Sequence, residues 1–193
     1  MTIICALRVP GEGVWVGSDT FVSEGDLRFP CGPKWDFRNG WAVGAAGPLR
    51  LANLIQAHLP DLFSGGSPAF PSLVNAWHFA QRLRSILRED HWEPRAKSDG
   101  RPPGYKLAVL LTDGADVWTV GEDLDVLPIF DFAAEGCGRE FAYGAYYGYR
   151  EFVARAGFEQ RAISGPSYMM KTAVMAAIRY NAGCGGEPFV RKV

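Results

Sequence analysis

Four residues in the first quarter of the chain have types and positions suited to acyl-transfer chemistry: Thr2, Asp19, Lys34 and Gly47. Threonine is a weak nucleophile unless a base lies beside its hydroxyl, and a threonine at a free N-terminus can supply that base with its own α-amine. An α-amine has a pKa of about 8, so much of it is able to accept a proton near neutral pH. The sequence therefore predicts that Thr2 acts as nucleophile and base together once Met1 is removed.

Composition limits the classes of protein to which the chain can belong. It has 193 residues, 48% of them hydrophobic, and a formal net charge of -1. This length and apolar content predict one domain, residues 1–193, with a substantial core. Nucleic acids and anionic membranes bind clustered Lys and Arg, and no such excess is present, so neither is expected as a partner. The N-terminus does not resemble a signal peptide and no apolar run is long enough to span a membrane, which predicts a soluble, cytoplasmic protein.

The four cysteines, Cys5, Cys31, Cys137 and Cys184, are scattered and form no CxxC pair. This spacing argues against a zinc site, and their apolar or glycine-rich neighbours suggest reduced thiols in a cytosolic protein. The three histidines lie away from the other motifs, so neither a Ser-His-Asp arrangement nor a metal cluster is implied. We expect no cofactor and no metal.

The elements that must position these residues begin with two hairpins. Residues 2–9 and 13–17 are two β-rich runs joined by a Pro/Gly turn, and residues 34–37 and 40–44 flank an Asn-Gly dipeptide that favours a tight turn. Residues 20–33 between the hairpins are less regular. Helical periodicity then predicts one helix beginning near Pro48 and a second over residues 71–89, with side chains such as Leu73 and Trp77 facing inward.

The second half repeats the order of strands followed by helices. Residues 92–104 are predicted to form a polar loop, because they are rich in proline, glycine and charge. Strands are then predicted at 105–112, 115–120 and 124–132, helices after Gly138 and over 167–181, and a last strand at 188–193. Strand blocks that alternate with helix pairs predict an α+β protein in which two antiparallel sheets are covered by helices, a four-layer αββα sandwich.

In this order and spacing the sequence resembles the proteasome β-subunit family of N-terminal nucleophile (Ntn) hydrolases, which includes the bacterial HslV peptidase. Residues 2–7 resemble the opening strand of a mature subunit, and residues 17–20 resemble the family's aspartate turn. Lys34 follows Thr2 by 32 residues, the spacing that the family uses, and residues 44–47 resemble the glycine turn before the first helix. The resemblance covers nearly the whole chain and implies a bacterial proteasome homologue.

The resemblance also implies a role for each of the four residues. The Thr2 hydroxyl would attack a peptide carbonyl, and water would then hydrolyse the acyl-enzyme ester. Lys34 would lie beside that hydroxyl and make it more acidic, with Asp19 paired to the lysine. The backbone N–H of Gly47 would stabilise the oxyanion, and Ser23 would border the groove in which a substrate strand adds by main-chain hydrogen bonds.

Two further segments, residues 136–138 and 181–186, resemble family motifs but depart from them at three positions. Family members usually carry serine where Cys137 stands, aspartate where Asn181 stands and serine where Cys184 stands. By resemblance, these residues belong to the hydrogen-bond network beside the nucleophile's amine. Cysteine is a poorer donor and acceptor than serine, and asparagine supplies no negative charge. We therefore expect this network to be weakened or rebuilt.

These features predict a threonine endopeptidase subunit of a self-compartmentalising multimer, a homo-oligomeric ring or a related multimer, that cleaves peptides or unfolded proteins. The resemblance further implies an ATP-dependent unfoldase as a possible partner. Two alternatives remain open from the sequence. One is a catalytically silent structural or assembly subunit, which Asn181 favours, and the other is a small-molecule amidohydrolase of the wider Ntn group. The spacing of Lys34 favours the peptidase.

Overall fold

A computed structural model describes residues 2–24, 27–64, 72–94, 104–155 and 165–193. Met1, on whose removal the predicted chemistry depends, lies outside the described residues. So do residues 65–70, which precede the second predicted helix, and most of the predicted polar loop.

The first sheet contains the strand that begins beside Thr2. Its order is β10-β1-β2-β11, and every neighbouring pair is antiparallel. The first four residues of β1 are all fully buried, which fits a strand covered on both faces by other layers. The strands of this sheet are β1 (Ile3–Val9), β2 (Gly13–Ser18), β10 (Phe132–Gly136) and β11 (Phe189–Lys192).

The second sheet is a five-stranded antiparallel meander. A separate small hairpin follows β2 in sequence and precedes the first strand of this meander. The meander contains β5 (Trp35–Arg38), β6 (Trp41–Ala46), β7 (Ala108–Thr112), β8 (Val117–Val120) and β9 (Val126–Ile129). The hairpin consists of β3 (Phe21–Glu24) and β4 (Leu27–Pro30). The helices are α1 (Leu49–Ala57), α2 (Leu59–Leu62), α3 (Ser72–Glu89), α4 (Arg139–Arg155) and α5 (Pro166–Tyr180).

Three apolar clusters separate four layers. One cluster joins α4 and α5 to the first sheet, through residues such as Tyr146 and Met170. A second lies between the two sheets and includes Ile4 and Leu110. The third joins the second sheet to α1, α2 and α3. Because each sheet packs a helical layer on one face and the other sheet on its second face, the predicted αββα sandwich is confirmed.

The prediction of one continuous strand over residues 124–132 is wrong. Residues Val126–Ile129 pair with β8 in the second sheet, whereas Phe132–Gly136 pair with β1 in the first. One straight strand cannot belong to two stacked sheets, so the chain bends at Phe130 and Asp131, where the backbone N–H of Arg8 donates to the Asp131 carbonyl. An unbroken run of β-forming residues carries no sign of this change of sheet.

Other local differences have simple causes. The stretch predicted to be irregular contains the β3–β4 hairpin, whose exposed second strand lacks the alternation of a half-buried strand. The helix predicted near Pro48 ends at Ala57, and α2 restarts with a proline in its first turn. Leu73 and Trp77 are 49% and 51% exposed, contrary to prediction, because the buried face of α3 is set by Ala76, Phe79 and Leu83.

Candidate active site

Asp19 lies at the centre of a buried polar cluster directly after β2, and its side chain is fully buried. Its Oδ1 atom accepts hydrogen bonds from Thr2 Oγ1 at 3.0 Å and from the backbone N–H of Ile3 at 3.1 Å. The Lys34 ammonium donates to the same oxygen at 2.6 Å. The second oxygen, Oδ2, accepts from the backbone N–H of Gly185 at 3.1 Å. A carboxylate buried this deeply requires such partners, and here it has four.

Lys34 is held from both ends. Its side chain is 10% exposed, and Nζ donates to the carbonyl oxygen of Phe21 as well as to Asp19. Its backbone N–H donates to Ser18 Oγ at 3.2 Å, immediately before β5 begins. The ammonium and the Thr2 hydroxyl bind the same oxygen of Asp19, so they are close neighbours. This geometry places a fixed positive charge beside the hydroxyl.

The backbone of Thr2 is fixed by the strand next to β1. Thr2 itself is 6% exposed, and Ile3 pairs with Gly136 at the end of β10. Gly136 has φ of 109°, and a Cβ atom there would lie 2.2 Å from the Thr2 carbonyl oxygen. A side chain at this position would therefore displace the residue that carries the hydroxyl.

We predict that Gly136→Ala lowers the free energy of unfolding by more than about 1 kcal/mol, because the new Cβ combines a disfavoured φ with a clash against backbone. Gly144→Ala is the matched control: Gly144 is helical in α4, and nothing lies within 4 Å of the Cβ it would gain. That change is expected to stabilise the protein by about 0.5–1 kcal/mol through helix propensity. Urea unfolding measures both values. Equal effects at the two sites would contradict the close packing of Gly136 against the Thr2 carbonyl.

Cys137, Asn181 and Cys184 form a second cluster that contacts the backbone of Thr2. Cys137 Sγ lies 3.4 Å from the Thr2 carbonyl oxygen and 3.7 Å from Cys184 Sγ. The amide of Asn181 donates to the Cys137 carbonyl at 2.8 Å and accepts from the backbone N–H of Gly183 at 2.8 Å. Asn181 thus ties the start of α4 to the glycine-rich corner after α5, a task that needs an amide rather than a carboxylate, because one of its atoms donates.

The two thiols differ in their acidity. A hydrogen bond from the Cys184 thiol lowers the pKa of Cys137 to about 6, although partial burial acts in the opposite direction. The pKa of Cys184 is raised, first because it is the donor in this bond and second because it is buried. The pair therefore carries one readily formed thiolate, on Cys137.

Thr2 lies between two cavities, and Gly47 borders both. The first cavity, of about 420 Å³, lies between the second sheet and α1 and is also lined by Lys34. The second, of about 650 Å³, includes Cys137 and the charged residues Glu135 and Arg139. Gly47 has φ of 151°, and a Cβ there would approach the Lys106 carbonyl to 2.9 Å, so the close backbone packing favours glycine. Both cavities therefore open beside the Thr2 side chain.

The first cavity has an apolar wall and one acidic group. Val43, Ala45 and Leu51 supply apolar surface, and Asp36 on β5 adds a half-buried carboxyl. Burial raises the pKa of Asp36, and a hydrogen bond with the Gln56 side chain partly offsets that effect. Ala46, which the glycine-turn resemblance includes, lines the second cavity instead.

The structure brings together all seven predicted site residues: Thr2, Asp19 and Lys34 in the first cluster, Cys137, Asn181 and Cys184 in the second, and Gly47 beside both cavities. Sequence reasoning missed Ser18 and Gly185, which orient Lys34 and Asp19. The position of Ser18 could have identified it, since it directly precedes Asp19 at the end of a strand. Gly185 contributes only its backbone N–H, and residue type gives no sign of such a contact.

The αββα layering has a hydroxyl residue, Thr2, at the start of a central strand of the first sheet. Comparison with protein-family models and with curated proteins gives no match. Solved structures do match. BPH from Thiobacillus denitrificans, in complex with epoxomicin, superposes with a TM-score of 0.74 at 18% identity, covering 99% of this chain and 98% of that one.

Two further structures carry the same fold. HslV from Trypanosoma brucei matches with a TM-score of 0.69 at 15% identity, over 98% of both chains. The Gly-1 mutant of Anbu from Hyphomicrobium sp. strain MC1 matches with a TM-score of 0.70 at 14% identity, covering 98% of this chain and 80% of that one. The chain therefore has a bacterial proteasome-type fold, shared with HslV and Anbu.

None of the described helices is long and apolar enough to cross a membrane. Among the residues that the structure describes, no group of three or more His, Cys, Asp or Glu side chains is placed to hold a metal ion.

Proposed function

We propose that this chain is a threonine endopeptidase in which Thr2, freed by removal of Met1, is the nucleophile. The observation that carries the proposal is the shared oxygen of Asp19: it binds the Thr2 hydroxyl at 3.0 Å and the Lys34 ammonium at 2.6 Å. A threonine and a lysine without a chemical role would be expected at the surface, in contact with water, rather than buried against one shared carboxylate. The cost of burying these charges favours a functional role for the arrangement.

The proposed reaction follows the positions of these groups. The free α-amine of Thr2 accepts the proton of the hydroxyl, and the oxygen attacks the carbonyl carbon of the scissile peptide. Lys34 stabilises the negative charge that develops on the attacking oxygen, while Asp19 keeps the ammonium in place. The backbone N–H of Gly47 stabilises the oxyanion of the tetrahedral intermediate. The amine then protonates the leaving group, and water hydrolyses the ester.

The 420 Å³ cavity is proposed to bind the side chain of the residue before the scissile bond, because it opens beside Thr2 and Gly47. Lys34 also lines it, but its charge is neutralised by Asp19. Asp36 is therefore proposed as the charged group available to a substrate, and it favours a basic side chain over an acidic one.

We predict that Asp36→Asn lowers the ratio of cleavage after arginine to cleavage after leucine about 10- to 100-fold at pH 7.5, the value of one charge-assisted hydrogen bond. Burial raises the pKa of Asp36, so its charge is lost at a higher pH than that of an exposed aspartate. In the unsubstituted protein the ratio should therefore fall as pH is lowered through this raised pKa. Paired fluorogenic peptides measure the ratio, in which titration of the α-amine cancels. A ratio unaffected by Asp36→Asn would exclude this role.

The proposal includes a homo-oligomeric ring acting in the cytoplasm on peptides or unfolded proteins, supplied by an ATP-dependent unfoldase. Large apolar side chains remain exposed on two outer helices, including Leu73 and Trp77 on α3 and Phe141 and Phe152 on α4. Such surface is typical of contacts between subunits. Four free cysteines fit a reducing compartment. The mass of the protein in solution tests the assembly.

Intact-mass analysis after exposure to epoxomicin tests the proposed chemistry. Epoxomicin is chosen because BPH, which shares this fold, was solved in complex with it. Two forms of the chain are compared, one that begins at Thr2 and one that retains Met1. A stable mass increase only in the first form would support the N-terminal nucleophile. No increase in either form, with no peptide cleavage, would instead indicate the silent subunit, and hydrolysis of small amides without peptide cleavage would indicate the amidohydrolase.

A further inference from the structure

The thiols of Cys137 and Cys184 form a pair at the edge of the candidate site that the proposed peptidase reaction does not use. Their sulfur atoms are 3.7 Å apart, and neither belongs to a disulfide. A disulfide requires about 2.05 Å, so a small movement of one or both side chains would allow the bond to form. The other two cysteines, Cys5 and Cys31, are absent from this contact.

The surroundings of the pair keep the sulfur atoms together. An added Cβ on Gly138 would lie 2.8 Å from Cys184 Sγ and 2.7 Å from the Cβ of Ala177, so the sulfur fills the space above the glycine at the start of α4. Asn181 holds the backbone on both sides, through the Cys137 carbonyl and the Gly183 N–H. The close approach is thus fixed by the packing of two segments of the chain.

The two sulfur atoms are not equally accessible. Cys184 is 1% exposed, whereas Cys137 is partly exposed and lines the 650 Å³ cavity. The hydrogen bond from Cys184 also lowers the pKa of Cys137 to about 6, which makes Cys137 the thiolate of the pair. A small oxidant entering the cavity would meet the reactive thiolate first, with a second thiol directly behind it.

We propose that Cys137 and Cys184 are a redox modification site, in which a hydroperoxide converts the thiol pair into a disulfide that disables the neighbouring Thr2. The Cys137 thiolate attacks one oxygen of hydrogen peroxide and the O–O bond breaks. This leaves sulfenic acid on Cys137 and releases hydroxide. The Cys184 sulfur attacks that sulfur and displaces a second hydroxide. Protons, including the one from the Cys184 thiol, convert both hydroxides to water, so two electrons pass from the thiols to the peroxide.

The disulfide would act on Thr2 through contacts already present. Cys137 Sγ lies 3.4 Å from the Thr2 carbonyl oxygen, so a shift of this sulfur toward Cys184 changes a direct contact with the backbone of Thr2. Cys184 directly precedes Gly185, whose N–H orients Asp19. Drawing the sulfurs together therefore moves groups bound to both Thr2 and Asp19. This second part of the inference rests on the proposed function, whereas disulfide formation does not.

Peptide mapping after peroxide treatment tests the site itself. The protein beginning at Thr2 is treated with hydrogen peroxide, alkylated and digested without reduction. We expect a linked pair of peptides carrying Cys137 and Cys184, with a loss of two hydrogen masses that dithiothreitol reverses. Cys184→Ser should instead leave sulfenic acid on Cys137, which dimedone captures. Cys31→Ser is the control and should still form the link. Absence of the link in the unsubstituted protein would overturn the proposal.

The rate of epoxomicin labelling tests the effect on Thr2. Oxidation is expected to slow labelling about 100-fold, the scale of a small displacement of a reacting group, and reduction should restore it. The Cys137→Ser/Cys184→Ser variant, whatever its own rate, should show no change on treatment. A link with unchanged labelling would disprove the switch. A disulfide link in a protein that epoxomicin never labels would contradict the proposed function and support the modification site. Labelling without a disulfide link would support the proposed function and contradict the modification site.

Discussion

Thr2→Ala, in the chain that begins at residue 2, is expected to remove epoxomicin labelling and to slow peptide cleavage by at least about 10³-fold. The scale follows from hydrolases in which the nucleophile is deleted while the binding and oxyanion groups remain. Alanine lacks the hydroxyl that Asp19 binds and has no other group that can form an ester. Intact mass and a fluorogenic peptide assay measure the two effects.

Thr2→Ser is the matched control for this experiment. Serine keeps the hydroxyl and a free α-amine, so labelling should persist even where the rate falls. Thr2→Ala loses one hydrogen bond to the buried Asp19 carboxylate, and its free energy of unfolding should fall by about 1.5–3 kcal/mol. Cleavage that survives in Thr2→Ala would reject Thr2 as the nucleophile. Loss of the folded state in that variant is distinguishable by circular dichroism, and the serine variant then carries the test.

The largest effect on stability is expected for Asp19→Ala, which should lower the free energy of unfolding by about 3–5 kcal/mol, the cost of removing one partner from a buried ion pair. The change leaves the Lys34 ammonium without its carboxylate at 10% exposure. It also leaves the backbone N–H groups of Ile3 and Gly185 without their acceptor. Urea unfolding at pH 7 measures the loss.

A double-mutant cycle separates the ion pair from the rest of the cluster. Asp19→Ala combined with Lys34→Met should cost less than the two single changes together, by about 0.5–3 kcal/mol, because the double variant buries no unpaired charge. The ion pair of Arg155 with Glu151 is highly exposed on both side chains and provides the control. Glu151→Ala should change stability by less than about 0.5 kcal/mol. Strict additivity at Asp19 and Lys34 would show that the two charges are not coupled.

Much of the fold could be predicted because periodicity is local. The hairpin predicted over residues 2–9 and 13–17 is observed as Ile3–Val9 and Gly13–Ser18, and the helix predicted over 71–89 is observed as Ser72–Glu89. The division between β9 and β10 was missed, because β propensity continues from one into the other while the partner strand changes. The exposed side chains of α3 were mispredicted for a related reason: apolar character alone does not show which apolar residues find a partner.

For the candidate site, the sequence by itself determined which groups were available. Residue types in order along the chain indicated Thr2, Asp19, Lys34 and Gly47, and the departures at Cys137, Asn181 and Cys184. Only the tertiary structure decided how these groups meet, because the contacts join segments far apart in the chain. A threonine hydroxyl and a lysine ammonium bind one buried oxygen, and two cysteines 47 positions apart place their sulfur atoms within 3.7 Å. Distances of this kind follow from packing two sheets between helical layers, and local residue preferences do not encode them.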